Sequence, residues 1–181
     1  MAVKAATTAR SFDALASPDA GVLVLGSMPG QASLGAQQYY AHPRNAFWPI
    51  MSALFGVNLD TRYAERCACI VAQRVAVWDV LQSCERPGSL DADIVEKSIV
   101  ANDFTSLFAK CPNLRHVFFN GAKAETAYRR YVLPSLDPVH AELATTRLPS
   151  TSPAHASLSV EQKAEQWQVV KLALSEQASV T

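Results

Sequence analysis

The chemistry open to this chain rests on two side-chain amides, a hydroxyl-rich loop and a cluster of rings. Asn45 stands just ahead of Phe47-Trp48, and Asn120 stands directly before Gly121. A carboxamide offers two N–H donors and an oxygen acceptor, so it can orient a water or read the edge of a flat heterocycle. The segment 148-LPSTSP-153 sets three hydroxyls between two prolines. Small hydroxyl side chains and free backbone N–H groups suit phosphate oxygens. In 26-GSMPG-30 the glycines Gly26 and Gly30 let the backbone approach a flat ligand or a phosphate closely. Tyr39, Tyr40, Phe47 and Trp48 place four rings within ten residues. A stacked base needs one or two exposed rings, each worth about 1–3 kcal/mol.

Each feature taken singly also has a plainer explanation. GSMPG is neither a Walker loop nor G-x-G-x-x-G, and can be an ordinary strand-to-loop turn. Asn45 can be a simple helix N-cap, and Asn120-Gly121 a common turn. Phe47 and Trp48 can open a core helix, and LPSTSP can be a rigid polar loop. His42 and His155 read as loop histidines. Arg44, Lys123 and Arg147 adjoin the candidate segments and supply a local positive edge. No Ser-His-Asp spacing and no H-E-x-x-H occurs. Asp79 is the one obvious carboxylate among the candidate segments, which disfavours a two-carboxylate glycosidase.

The elements that must position these residues are legible from the pattern. Gly21 to Leu25 reads as a buried strand, and Val75 to Trp78 and His116 to Phe119 as two more. A weaker fourth spans Ala141 to Leu148. Helical spacing runs over 46–55, 61–73, 102–110, 122–131 and 159–175, with Gly56 a C-cap and Ser159/Gln162 a capping box. Strands alternating with helices imply βαβ units and a mainly parallel sheet covered on both faces. Ligands of such sheets bind at the carboxyl ends of the strands. That places Gly26–Gly30, Asp79, Asn120-Gly121 and Pro149–Pro153 at one edge.

Bulk properties narrow the field. The chain has 181 residues, 49% apolar and 18% charged, with zero formal net charge. This suits one globular domain over 1–181 and excludes a global basic field. No apolar stretch approaches the ~20 residues of a membrane span, and Met1 to Arg10 has no apolar core of a secretory signal. A cytoplasmic protein is expected. Cys67, Cys69, Cys84 and Cys111 form no C-x-x-C pairs and read as free thiols.

Taken together, GSMPGQASL (26–34), QYYAHPRNAFW (38–48), VAVWDVLQSCERPGSLDADI (75–94), FFNGAKA (118–124) and LPSTSPAHA (148–156) resemble the uracil-DNA glycosylase superfamily, and within it the hypoxanthine-DNA glycosylase group. The resemblance implies an α/β/α sandwich around a four-stranded parallel sheet. It implies hydrolysis of the N-glycosidic bond of a deaminated base in DNA, leaving an abasic site. It maps the group's catalytic Asn onto Asn45 and the base-stacking ring onto Phe47. The base pocket falls on Gly26, Ser27, Met28, Tyr40, Phe47 and Asn120. DNA contacts fall on Pro149, Ser150, Thr151, Ser152 and Lys123. The iron–sulfur branches carry cysteines ahead of the first motif, and none precedes Gly26, so no metal or cofactor is expected. An Asp in the first motif and a His-Pro-Ser in the second, used by some branches, are replaced by Ser27 or Met28 and by Leu148-Pro149-Ser150.

These residues suggest a mechanism. Hypoxanthine pairs poorly with thymine, which lowers the few kcal/mol that flipping a base costs. Phe47 would stack on the extruded base, while Asn120 or a backbone amide reads its edge. Hypoxanthine shows an O6 acceptor beside an N1–H donor, uracil shows the same pattern at O4 and N3–H, and adenine shows the reverse. Asn45 would position a water against a cation-like sugar. With no lysine well placed as a nucleophile, a monofunctional enzyme is expected, and separately a monomer. A uracil or mismatch glycosylase of the same fold, and a non-catalytic damaged-DNA-binding module, are the competing readings.

Overall fold

The computed structural model describes residues 8–179. In chain order the strands are β1 (Thr8–Arg10), β2 (Val22–Gly26), β3 (Val75–Asp79), β4 (Leu81–Glu85), β5 (Val100–Ala101), β6 (His116–Asn120) and β7 (Ala144–Leu148). The α-helices are α1 (Gln31–Ala36), α2 (Phe47–Phe55), α3 (Tyr63–Ala72), α4 (Phe104–Lys110), α5 (Ala122–Ala127), α6 (Pro138–Ala141) and α7 (Val160–Ala178).

Four strands form one parallel sheet in the order β3-β2-β6-β7. The chain therefore starts at the centre, steps to one side, then returns across β2. Val22, Leu23, Val24 and Leu25 are all fully buried, as a central strand covered on both faces requires. Alternate side chains enter opposite cores. Val22 and Val24 join α2, α3 and α7 through Met51, Ile70 and Trp167. Leu23 and Leu25 join α4 and α5 through Phe108 and Ala124, with Phe119 and Tyr128. Each such fully buried Leu or Val contributes about 1.5–3 kcal/mol. The three-layer α/β/α architecture thus follows from period-two alternation on a continuously apolar strand.

The helix ends are local chemistry. Gly56 closes α2 at φ 71°, a left-handed conformation that glycine adopts without a Cβ clash, and its N–H returns to Ser52 O. The side chain of Asp103 caps α4 by accepting from Ser106 N. Ser159 and Gln162 form the reciprocal capping box at the start of α7.

Several details differ from the sequence reading. A second, antiparallel sheet β1-β4-β5 flanks the main one. Strand β7 starts at Ala144, because Pro138 to Ala141 forms the short helix α6. The helix after β6 is α-helical only to Ala127, and Tyr128–Val132 widens into a π-turn. Cys67, Cys84 and Cys111 are buried and Cys69 half-buried, all four as free thiols.

Candidate active site

The carboxyl ends of the four parallel strands come together as the topology requires. Gly26 is in register with Asp79, and Asn120 with Leu148. The loops leaving these strands carry the candidate residues.

Thr151 ties three of them together. It is 1% exposed. Its N–H donates to Asn120 Oδ1 at 2.8 Å, its hydroxyl accepts from Asn120 Nδ2 at 2.9 Å, and its carbonyl accepts from Ala46 N at 2.9 Å. The 149–153 loop, the end of β6 and the start of α2 are therefore one hydrogen-bonded unit with Asn45 at its margin. Gly121 permits this closeness. Its φ is +95°, and a β-carbon built there would lie 3.0 Å from Ser150 Cβ.

Asn45 is half-buried. Its Oδ1 accepts from Phe47 N at 2.9 Å, which satisfies an orphan N–H at the start of α2. Its Nδ2 has no hydrogen-bond partner among the described residues. One side of the amide is fixed by the helix, and the other is left with two donors. A locked carboxamide of this kind can hold a water in one orientation.

The rings are layered. Phe47 is fully buried and Tyr40 covers its face, with centroids 4.0 Å apart and planes 21° from parallel. Trp48 and Trp167 meet the Phe47 ring edge-on. Phe47 thus presents no free face to a base, contrary to the role the sequence reading gave it. Tyr40 is half-buried and holds φ +56°, a conformation bulky residues rarely adopt. Tyr39 packs behind it, 3% exposed, with its hydroxyl donated to Asp13 O.

Other expected contacts take different roles. The Asn120 amide, expected to read a base, is tied through both atoms to Thr151, with one Nδ2 donor left on the side of Tyr40. Thr151 is too buried to meet DNA directly. Met28 lies in the core beside Leu25 and Leu81. Ser27, 8% exposed, donates from its hydroxyl to Asp91 Oδ1 at 2.5 Å. Lys123 pairs with Glu96. Gly26 is buried and closely overhung, while Pro149, Ser150 and Ser152 remain half-buried at the loop surface. Pro149 O accepts from Trp167 Nε1 at 3.0 Å, and Ser150 Oγ accepts from Ser152 N at 3.2 Å.

Asp79 was noticed in the sequence but given no role. It is 3% exposed, and its pKa is pushed up to about 8 by burial and then by the charge of Asp91, against an opposing pull from Arg86. Arg86 lies in the 75–94 segment that carries the resemblance, which gave it no role. It is 1% exposed and donates from Nη2 to Pro29 O at 2.5 Å, pinning the 26–30 turn. Only the folded chain reveals the burial of either residue.

Comparison with known proteins identifies the family. Residues 13–172 match the family described as the Uracil DNA glycosylase superfamily. A hypoxanthine DNA glycosylase of Methanosarcina acetivorans is 36% identical over 147 residues, covering 76% of this chain and 92% of that protein. A hypoxanthine DNA glycosylase of Methanosarcina barkeri is 36% identical over 104 residues, covering 57% and 65%. A solution NMR structure of a candidate uracil DNA glycosylase from M. acetivorans superposes with a TM-score of 0.76 at 34% identity, covering 93% of this chain and 99% of that one. The chain belongs to the uracil-DNA glycosylase superfamily.

Proposed function

We propose that the chain is a monofunctional DNA glycosylase, working as a monomer, that flips a deaminated base from DNA and hydrolyses its N-glycosidic bond, with hypoxanthine the preferred base. The observation that carries this reading is the half-fixed amide of Asn45 beside the Thr151–Asn120 clasp. The names of the two Methanosarcina relatives support the choice of base.

In this reading the Tyr40 ring, with Phe47 as its backing, stacks on the extruded base. The C1′–N bond breaks early and leaves a cation-like sugar. Asn45 donates from Nδ2 to a water and holds it against C1′, where a weak nucleophile suffices. The clasp keeps the 149–152 loop placed against the DNA backbone. Lys123 follows the Asn120-Gly121 turn and Lys163 reaches back from α7 towards the 149–155 segment, and their amines are engaged by Glu96 and by His155 O. Neither is free to form a Schiff base, so borohydride should trap no covalent DNA complex.

The test is a panel of duplexes carrying deoxyinosine, deoxyuridine, deoxyxanthosine or a G·T mismatch, each cleaved by alkali at any abasic site. Fastest release from deoxyinosine supports the reading. Fastest release from deoxyuridine transfers it to uracil, and lesion binding without any abasic product removes the enzymatic reading.

A further inference from the structure

The 26–30 turn is surrounded by buried polar atoms that lack partners. Asp79 Oδ2 has no hydrogen-bond partner among the described residues, and Tyr40 Oη has only the Asn120 amide near it, outside hydrogen-bond geometry. They belong to one place. A β-carbon built on Gly26 would lie 2.6 Å from Asp79 Oδ1 and 3.2 Å from Tyr40 Oη. Glycine at 26 therefore keeps a carboxyl and a phenol close over a strand end. Arg86, buried beside the same turn, leaves Nε and Nη1 without partners as well. Buried polar groups are nearly always paired, so a carboxyl and a guanidinium left with unpaired atoms at one turn call for a ligand that completes them. Meanwhile the amide expected to read the base, Asn120, is engaged with Thr151.

Burial is the main cause of the raised pKa of Asp79, about 8, so the carboxyl holds its proton at neutral pH. A protonated carboxyl places one O–H donor beside one carbonyl acceptor. That pair complements the lactam edge of a deaminated base.

We propose that Asp79 meets the base directly, its carbonyl oxygen accepting from N1–H of hypoxanthine and its O–H donating to O6. This rests on the glycosylase reading above and adds a residue to it. When the C1′–N9 bond breaks, its electron pair passes into the base and negative charge collects on O6. The Asp79 O–H···O6 hydrogen bond strengthens as that charge grows, which lowers the barrier rather than merely tightening binding. Water adds to C1′ and releases a proton, and the departing base anion takes up one proton. The sum is one water consumed, with hypoxanthine and an abasic sugar formed. Above the pKa of Asp79 the donor is lost and a carboxylate faces O6, so excision slows.

The experiment compares single-turnover excision of deoxyinosine by the wild type, Asp79→Asn and Asp79→Ala between pH 6 and about 9.5, bracketing the alkaline limb, with folding checked by circular dichroism. Asn keeps a donor and an acceptor but cannot ionise. We expect the wild-type rate to fall on the alkaline side, Asp79→Asn to stay within about tenfold at neutral pH with that fall abolished, and Asp79→Ala to lose about 100-fold or more. A folded Asp79→Ala protein with near-wild-type rates overturns the proposal. So does an Asp79→Asn profile that keeps the alkaline fall. Either result leaves the glycosylase reading standing, whereas a wild type that excises no lesion removes both.

Discussion

Tyr40 lies flat against Phe47, 4.0 Å between ring centroids, and buries the face that Phe47 would otherwise offer. The two rings therefore divide one task. Phe47 belongs to the core, and Tyr40 is the surface set upon it. Replacing Phe47 by Ala should lower stability by about 3–5 kcal/mol, as for other buried phenylalanines. Tyr40→Ala should instead weaken deoxyinosine excision under subsaturating conditions by about 10- to 100-fold, from a stacking loss of roughly 1–3 kcal/mol. Urea unfolding and single-turnover kinetics on both variants separate the roles. Equal losses of stability would show that Tyr40 is only packing.

The Asn120–Thr151 clasp should behave as a unit. Asn120→Ala strands the buried Thr151 N–H, which costs about 1–3 kcal/mol. Thr151→Ala removes the hydroxyl that accepts from Asn120 Nδ2. The double variant should be less destabilised than the sum of the singles, measured by a double-mutant cycle in urea. Strict additivity would mean that the two residues act independently.

Stability should fall as pH rises through the titration of Asp79. Its carboxyl is shifted from an ordinary 3.8 to about 8 in the folded chain, first by burial and then by Asp91. Between those values the folded state holds a proton that the unfolded state has lost. The contribution to stability is therefore fully present below the unfolded pKa, declines across this window, and is gone above about 8. Asp79→Asn should flatten that part of the curve, and chemical unfolding at several pH values measures it. An unchanged slope in the variant would assign the pH dependence to other groups.

Lys123 is engaged in an ion pair with Glu96. Glu96 also accepts from Tyr131 Oη and lies 3.8 Å from an Arg130 nitrogen. Glu96→Gln should release two cations, tighten binding to duplex DNA and steepen its salt dependence, because each added phosphate contact raises the slope by about 0.9. Fluorescence anisotropy between 50 and roughly 200 mM salt reads this directly. An unchanged slope would place both cations away from the DNA.

Much of the framework was legible because it depends on local pattern. The buried strands β2, β3 and β6 are short apolar runs, and their ends name the site edge. Strand β7 was weaker because Ala144-Thr145-Thr146-Arg147 lies at the sheet edge, where one side is open to solvent. The small sheet was missed because β1 pairs with β4 across more than seventy residues, with polar side chains in both. The layering of the rings could not be read either, since spacing shows that Tyr40 and Phe47 are near but not which lies underneath. The same limit hid Asp79 and Arg86, whose chemistry comes from burial. Asn45 was visible as an amide at a helix start, and the structure adds that just one of its two polar atoms is used.

The most direct measurement concerns that unused atom. Asn45→Asp keeps an oxygen to cap Phe47 N but replaces the Nδ2 donors with a second oxygen, whereas Asn45→Ala also loses the cap, at a cost of about 1 kcal/mol. Both variants should remain folded and lose about 100-fold or more in single-turnover excision of deoxyinosine. A folded Asn45→Ala protein that excises at close to the wild-type rate would contradict the water-positioning role and the mechanism built on it.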